Sequence, residues 1–318
     1  MVSVTAIITT YNRDIKIVER ALNSILDQTY PVEEILIMDD NKVKYDTLGT
    51  FEVLDDRIKY VKLKGNHGVG YARNMGARLA TSEWIAFLDD DDEWVPEKIE
   101  VQINKLSFNP DAKLISGIGK IVTETGEDLG YTWSRTIFKE HPSYIDMLIG
   151  DRVGSASHPL INREAFISLS GFKEDRDIQP AEEDYEFWIR FSKNYDIYCV
   201  NYPLYIKHMD ETEHISRKWK NVCKGYINIF RKNKEAYLSN SEALERIYYN
   251  IVRAGVKGHY SKSIPYSIKW VYAKDALRRS KENTEISEET KISEEPINNE
   301  NIDLSETTEV SVEEGENV

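Results

Sequence analysis

Cysteine is nearly absent from this chain: Cys199 and Cys223 are the two among 318 residues, and they stand in no paired spacing. That excludes a disulfide framework and a thiolate metal site, and it points to a reducing compartment. Long apolar runs are missing too. No stretch approaches the roughly 18 uninterrupted apolar residues of a spanning helix. The opening MVSVTAIITTYNR has no basic leader, and its apolar part is too short for a secretory core. A cytoplasmic protein is expected. A uniform charge is also lacking, although the formal net charge is −14. Residues 1–216 carry 24 Lys/Arg against 38 Asp/Glu, residues 217–281 carry 16 against 4, and residues 282–318 carry 1 against 13. Each block therefore needs its own reading.

The first block alternates strands and helices. Residues 2–9 read as an apolar, β-branched strand of the kind buried on both faces. Residues 14–27 follow with helical spacing, Ile17, Ala21, Leu22, Ile25 and Leu26 forming one stripe. Residues 34–38, 58–63 and 83–88 read as further strands, and residues 69–80 as a helix. This order predicts an α/β fold, an open, mostly parallel sheet flanked by helices. Beyond it, residues 113–118 and 120–123 are expected as strands, with a turn at Thr125-Gly126-Glu127. A helix over 182–194 and a strand over 196–200 come next. We divide the chain into a catalytic domain at 1–216, a basic, Tyr-rich helical extension at 217–280, and an acidic tail at 281–318. The tail has too little apolar surface to offset the cost of ordering and is expected to be disordered.

Ligands of open α/β sheets bind beyond the carboxyl ends of the strands, and polar residues collect there. Thr9-Thr10-Tyr11-Asn12-Arg13 follows the first strand, Asp39-Asp40 the second, and Asp89, Asp90, Asp91 and Asp92 the strand over 83–88. Aspartate is common in turns and helix caps, and Asp92 would serve as a cap for a helix beginning near Trp94-Val95-Pro96. One cap needs one carboxylate. Four in a row repel one another unless a cation neutralises them. A hard divalent ion, Mg2+ or Mn2+, does so while leaving positions for substrate phosphates. In an extended segment Asp89 and Asp91 share a face.

Four segments resemble the family-two glycosyltransferases, which have the GT-A fold: VTAIITTYNR (4–13), ILIMDDN (35–41), GVGYARNMGA (68–77) and WIAFLDDDD (84–92). A fifth, EEDYEFWIR (182–190), is similar to the family's acidic motif ahead of a helix. They occur in family order and together span roughly residues 2–216. The resemblance implies an inverting transfer of sugar from a nucleotide-diphosphate donor, with uracil the expected base, to an acceptor hydroxyl. Thr9 and Tyr11 would line the nucleotide pocket, Asp39 would bind the base, and Arg73 would hold the nucleotide side of the donor. Asp91 would bind the metal, Asp89 or Asp90 would reach the ribose or the metal shell, and Asp184 would be the general base. His208 resembles a family histidine placed near the metal or diphosphate, though a lone histidine is more often structural. Asp90 departs from the small residue usual at its position, which leaves the ligand pair open between Asp89–Asp91 and Asp90–Asp91. The Gln/Arg-x-x-Arg-Trp signature of processive synthases is missing. Its nearest approach, Trp188-Ile189-Arg190, lies in another block, so a distributive enzyme is expected.

Gly68-x-Gly70-x-x-Arg73 lacks the third glycine of a dinucleotide fingerprint. A sugar-phosphate nucleotidyltransferase would carry a glycine-rich, basic signature near the first strand. A degenerate, glycan- or nucleotide-binding relative would lack Asp91 or Asp184, and both are present. Gly154-Ser155-Ala156-Ser157-His158 reads either as sugar lining or as an ordinary loop. His67, His141, His214 and His259 show no partner and are expected at the surface. The acceptor is expected to be a glycan or a lipid-linked saccharide. The extension mixes cations and interfacial aromatics, as in Arg217-Lys218-Trp219-Lys220 and Lys269-Trp270-Val271-Tyr272. Two readings remain: a peripheral contact with an anionic membrane at its inner face, or packing on the acidic catalytic domain. Nucleic acid is not an expected partner, because an acidic catalytic block repels phosphates.

Overall fold

A computed structural model describes residues 2–42, 48–123, 125–131, 138–175, 181–209 and 218–294. Met1–Leu277 form one compact unit, and Arg278–Val318 a second. The first three strands are β1 (Val4–Thr10), β2 (Glu34–Asp39) and β3 (Ile58–Lys62). Between them runs α1 (Ile15–Leu26), whose first turn is capped by the Asp14 side chain accepting from the Lys16 N–H. Helix α2 (Val69–Leu79) leads to β4 (Trp84–Asp89), and β5 (Asp92–Trp94) precedes α3 (Lys98–Phe108). Then come β6 (Leu114–Thr123), β7 (Asp128–Tyr131), α4 (Tyr144–Ile149), β8 (Leu160–Asn162), α5 (Arg163–Ser168), α6 (Glu183–Ser192) and β9 (Ile197–Met209). Four helices complete the described chain: α7 (Trp219–Lys232), α8 (Lys234–Leu238), α9 (Ser241–Lys257) and α10 (Ile264–Glu294).

The strands form one mixed sheet in the order β3-β2-β1-β4-β8-β6-β9-β5, with β7 paired to β6. Strands β3, β2, β1 and β4 are parallel, β8 runs against β4 and β6, and β5 runs against β9. Parallel pairing puts Thr10, Asp39 and Asp89 at one edge, each at the carboxyl end of its strand.

The apolar runs of β1, β2 and β4 follow from covering both faces of the sheet. Ile7, Leu36, Met38 and Phe87 enter one core, whereas Ala6, Ile8, Ile35, Ile37, Ala86 and Leu88 enter another. Helices α1 and α3 supply the second core through residues such as Leu22 and Ile99. The first holds α2, an aromatic group of Phe87, Phe166, Phe172, Phe187 and Trp188, and residues of the extension. Gly76 is where α2 meets β1: an added Cβ would lie 2.5 Å from Ile7 Cγ2.

Several expectations are corrected. Asp92 does not cap a helix. It belongs to β5, pairs in register with Lys207 of β9, and accepts a hydrogen bond from Ser157 Oγ at 2.7 Å. The helix after it starts at Lys98, past Pro96. The two strands expected over 113–123 are one, β6, whose register against β9 shifts around Gly117–Gly119. The strand expected over 196–200 continues to Met209, because β6 offers a partner along its whole length. The acidic block expected to be disordered from 281 begins with the end of α10, which runs to Glu294, two residues short of Pro296, where proline disfavours helix; residues 295–318 lie outside the described residues. Its Glu- and Lys-rich composition suits a helix without a core. Residues 217–277 share the compact unit of the catalytic block, through Val222, Ile229, Phe230, Tyr237 and Ile251 in the first core.

Candidate active site

The loop after β1 turns at Asn12, whose φ of 52° is left-handed, and the Asn12 N–H donates to Asn41 Oδ1 at 2.6 Å. This ties the end of β1 to that of β2. Thr9 is buried and Tyr11 is exposed beside it. Asp39 is fully buried. It accepts from the Asn41 N–H at 2.9 Å, from Tyr60 Oη at 2.6 Å and from Lys62 Nζ at 2.9 Å. A carboxylate offers about four acceptor positions, so one more donor, such as a base N–H, can be received. Asp40 holds the loop ahead of α2, accepting from the N–H groups of His67 and Gly68. Gly68 has a φ of 102°, a conformation that a side chain would strain. His67, expected to lack a partner, bonds Asp40 through Nδ1 at 3.1 Å and stacks on Tyr71.

Beyond β4 the four aspartates are handled one by one. Asp89 Oδ1 accepts from Arg73 Nη2 at 2.6 Å. Burial opposes its ionisation, but the charge and hydrogen bond of Arg73 more than offset this and hold its pKa below the ordinary carboxylate value. Asp90 and Asp91 share Arg13, which donates from Nε to Asp90 Oδ1 at 3.0 Å and from Nη2 to Asp91 Oδ2 at 2.9 Å. Burial still pushes Asp90 up to about 6, with Asp91 adding to the rise. Asp92 is buried and raised well above the usual range, chiefly by burial, while Lys207 draws it down. Ser157 and His158 are buried, and Ser157 Oγ accepts from the Asp89 N–H. The segment 154–158 therefore supports the acidic strand end.

Arg73 joins this motif to the next element. It is 3 % exposed, lies over the Phe172 ring, and reaches Asp89 with Nη2 and Glu183 Oε1 with Nη1 at 3.3 Å. Glu183 opens α6, and Asp184 follows it. The residue ahead of α6, Glu182, has a left-handed φ of 62°. Around Asp184 stand Glu183, Asp151 and Glu182, so burial and like charge raise its pKa well above normal, against the pull of Arg73. Burial likewise lifts Asp151 to about 6 and Glu182 to about 7, the latter despite a hydrogen bond from Tyr226 of α7.

His208 is joined to the acidic run through Glu93 and Arg20, whose Nη2 donates to the Asp91 carbonyl at 2.9 Å. The His208 Nε2 bonds Glu93, which also pairs with Arg20 at 3.3 Å, and its Nδ1 is buried with no hydrogen-bond partner among the described residues. The neighbouring Lys207 carries a raised pKa: burial opposes its charge, but Asp92, Asp89, Asp91 and Asp184 outweigh burial. Side chains alternate along a strand, so Lys207 and His208 face opposite ways. Sequence reasoning missed Lys207, Asp151 and the role of Arg13, although Arg13 stands inside the first family-like segment. Alternation from His208 could have pointed to Lys207. Arg190, the nearest approach to a processive signature, bonds Glu186 and the carbonyls of Leu169 and Gly171. His214 lies outside the described residues.

Among the described residues, no group of three or more His, Cys, Asp or Glu side chains is placed to hold a metal. The donor set still fits a hard ion of the Mg2+ type, which is commonly bound by one or two carboxylates together with substrate phosphates and water. Asp89 and Asp91 are partly open, and the acidic run is already balanced by cationic side chains, Arg13 and Arg73.

The sequence profile described as glycosyl transferase family 2 matches residues 5–169. An uncharacterized glycosyltransferase of Haemophilus influenzae is 28 % identical over 206 residues, a match that covers 62 % of this chain and 65 % of that protein. The Escherichia coli protein UDP-Glc:alpha-D-GlcNAc-diphosphoundecaprenol beta-1,3-glucosyltransferase WfgD is 24 % identical, covering 80 % of this chain and 94 % of its own. The crystal structure of S. aureus TarS 1-349 in complex with UDP-GlcNAc superposes with a TM-score of 0.57 at 18 % identity, covering 87 % of this chain and 92 % of that one. At that identity the likeness establishes the GT-A type of fold. The matched profile ends at Leu169, just past α5, and contains every strand end at which the carboxylates and Arg73 gather, and on that agreement the chain belongs to glycosyl transferase family 2.

Proposed function

We propose that this glycosyltransferase moves a sugar from a UDP-linked donor to a hydroxyl of a glycan or lipid-linked saccharide, with a divalent metal and with inversion. One observation carries the reading: buried Arg73 links Asp89, at the metal motif, to Glu183, next to the proposed base Asp184. This link supports a reading in which donor and acceptor meet side by side. TarS has been solved with UDP and with UDP-GlcNAc, and the WfgD name specifies a UDP-sugar and a diphosphoundecaprenol acceptor, which supports a donor and acceptor of these classes.

In this reading Thr9, Tyr11 and Asp39 receive the nucleoside. Arg73 and Lys207 hold Asp89, Asp91 and Asp184 in place by charge. Mn2+ or Mg2+ bound at Asp91, with Asp89 as a second ligand, would supply positive charge against the donor diphosphate. The acceptor oxygen forms a bond to the anomeric carbon as the bond to the diphosphate oxygen breaks, and the electron pair departs with the nucleoside diphosphate. The acceptor proton passes to the Asp184 carboxylate. A raised pKa suits this task, because it strengthens the base. One displacement of this kind inverts the anomeric centre. His208, paired with Glu93, would act on the metal shell only after leaving that partner.

Calorimetric titration of UDP, GDP and dTDP with and without Mn2+, on the wild type and on Asp91→Ala, tests the donor site. Metal-dependent UDP binding that the substitution abolishes is expected. Proton NMR of the first product formed from a UDP-sugar then reads the anomeric configuration. Retention, or equal UDP binding with and without metal, would overturn the mechanism.

A further inference from the structure

Helix α10 begins against the compact unit but turns one apolar face outward. Ala273 is buried, Tyr266 and Trp270 pack on the first core, and Trp270 Nε1 donates to Glu245 Oε1 of α9 at 2.6 Å. At 3.6 residues per turn, Ile264, Ile268, Val271 and Tyr272 fall on the opposite side of the helix. They are 63 %, 62 %, 60 % and 73 % exposed. Isolated exposed apolar residues are ordinary, but a contiguous stripe marks an interaction surface. Asp275, one turn beyond Val271, bounds the stripe at its far end.

Cations border it on both sides. Lys269 lies on one flank with its Nζ 5.6 Å from the Tyr266 ring, and Lys274 lies on the other, 5.6 Å from the Trp270 ring. Lys262, just ahead of the helix, is exposed as well, and Arg278 and Arg279 follow in sequence. An apolar stripe flanked by one lysine on each side, with an aromatic residue among it, is a composition that suits a helix lying in a lipid headgroup layer. A soluble protein partner would need no such basic border, and a second copy of the stripe would bring like charges together.

We propose that the face of α10 formed by Ile264, Ile268, Val271 and Tyr272, with Lys269 and Lys274 beside it, docks on an anionic lipid surface. The apolar residues enter the acyl boundary while the lysines reach the headgroups, their stems extended along the helix. This assignment concerns where the enzyme works and stands whether or not UDP is its donor.

Flotation of the full chain with vesicles of phosphatidylcholine alone, and of phosphatidylcholine with phosphatidylglycerol, tests it. Binding is expected only to the anionic vesicles, and added salt should weaken it. Because every substituted position is exposed, Lys269→Glu with Lys274→Glu should leave the fold intact and weaken partitioning at least about tenfold. Ile268→Asp with Val271→Asp should abolish it. Circular dichroism and nucleotide binding of both variants verify that the fold is retained. Three results overturn the proposal: no binding to anionic vesicles at low salt, binding unchanged in the Ile268/Val271 variant, or a dimer in sedimentation that this same variant dissolves.

Discussion

Arg13 donates to Asp91 at 2.9 Å through one guanidinium nitrogen while another reaches Asp90 at 3.0 Å. A residue from the loop after β1 thus stands where a divalent ion is proposed to act. If the guanidinium keeps that place until donor arrives, Arg13→Gln should bind Mn2+ more tightly in the absence of nucleotide. Loss of one charge-assisted contact of about 1.5–3 kcal/mol corresponds to roughly tenfold or more. Calorimetry reads this directly, and weaker or unchanged Mn2+ affinity would show that Arg13 organises the site rather than competing for it.

Arg73 is buried between two carboxylates and the Phe172 ring. Arg73→Met should leave Asp89 and Glu183 without their shared cation and destabilise the fold by about 3–5 kcal/mol in urea unfolding. Arg73→Lys should recover only part of this, since an ammonium lacks the planar fork that spans both partners. Full recovery by lysine would mean that charge alone matters at this position.

Asp184→Asn should lower kcat by about 10²- to 10⁴-fold, the range for a positioned acid–base group, while UDP affinity stays as in the wild type. The acid limb of the rate profile follows the same group. Its pKa is raised, by burial first and then by Glu183, Asp151 and Glu182, so the base is lost at higher pH than an ordinary aspartate would be. Asp151→Asn removes one of those negative charges and should move the limb to lower pH. A shift in the opposite direction would exclude Asp184 as the titrating base.

Glu182 makes a separate statement about stability. Its pKa is raised by burial to about 7 from an ordinary 4.5, so the folded state binds the proton more tightly than the unfolded chain does. Its favourable contribution is complete below the unfolded value and is lost as pH rises through about 7. Glu182→Gln should therefore raise Tm at pH above that range relative to the wild type, and matter less in acid. Thermal melts at two pH values check this; an equal shift at both would sink the linkage.

The strand ends were legible in the sequence because β1, β2 and β4 are covered on both faces and read as unbroken apolar runs that stop abruptly at polar residues. Helix α1 was legible from one stripe and one cap. β5 was not: three residues, Asp92 among them, become a strand only because β9 arrives from far along the chain to pair with them. Long-range pairing leaves no local trace. The same distance hid Arg13 behind Asp90 and Asp91, and His67 behind Asp40, since an ion pair shows in sequence only as two unrelated charges. Asp184 is singled out only by resemblance to a family segment; its environment, with Glu183, Asp151 and Glu182 around it, could not be read from spacing.

Tyr226 of α7 bonds Glu182 at the start of α6, and Ile229, Phe230 and Ile251 share a core with Phe187 and Trp188 of that helix. The extension is therefore not an interchangeable cassette. A chimera joined at residue 217, with the helices of one relative fused to the sheet of another, would strip the backing from the helix that carries Asp184. Exchange of acceptor preference between relatives should succeed only when α6 travels together with α7 and α9.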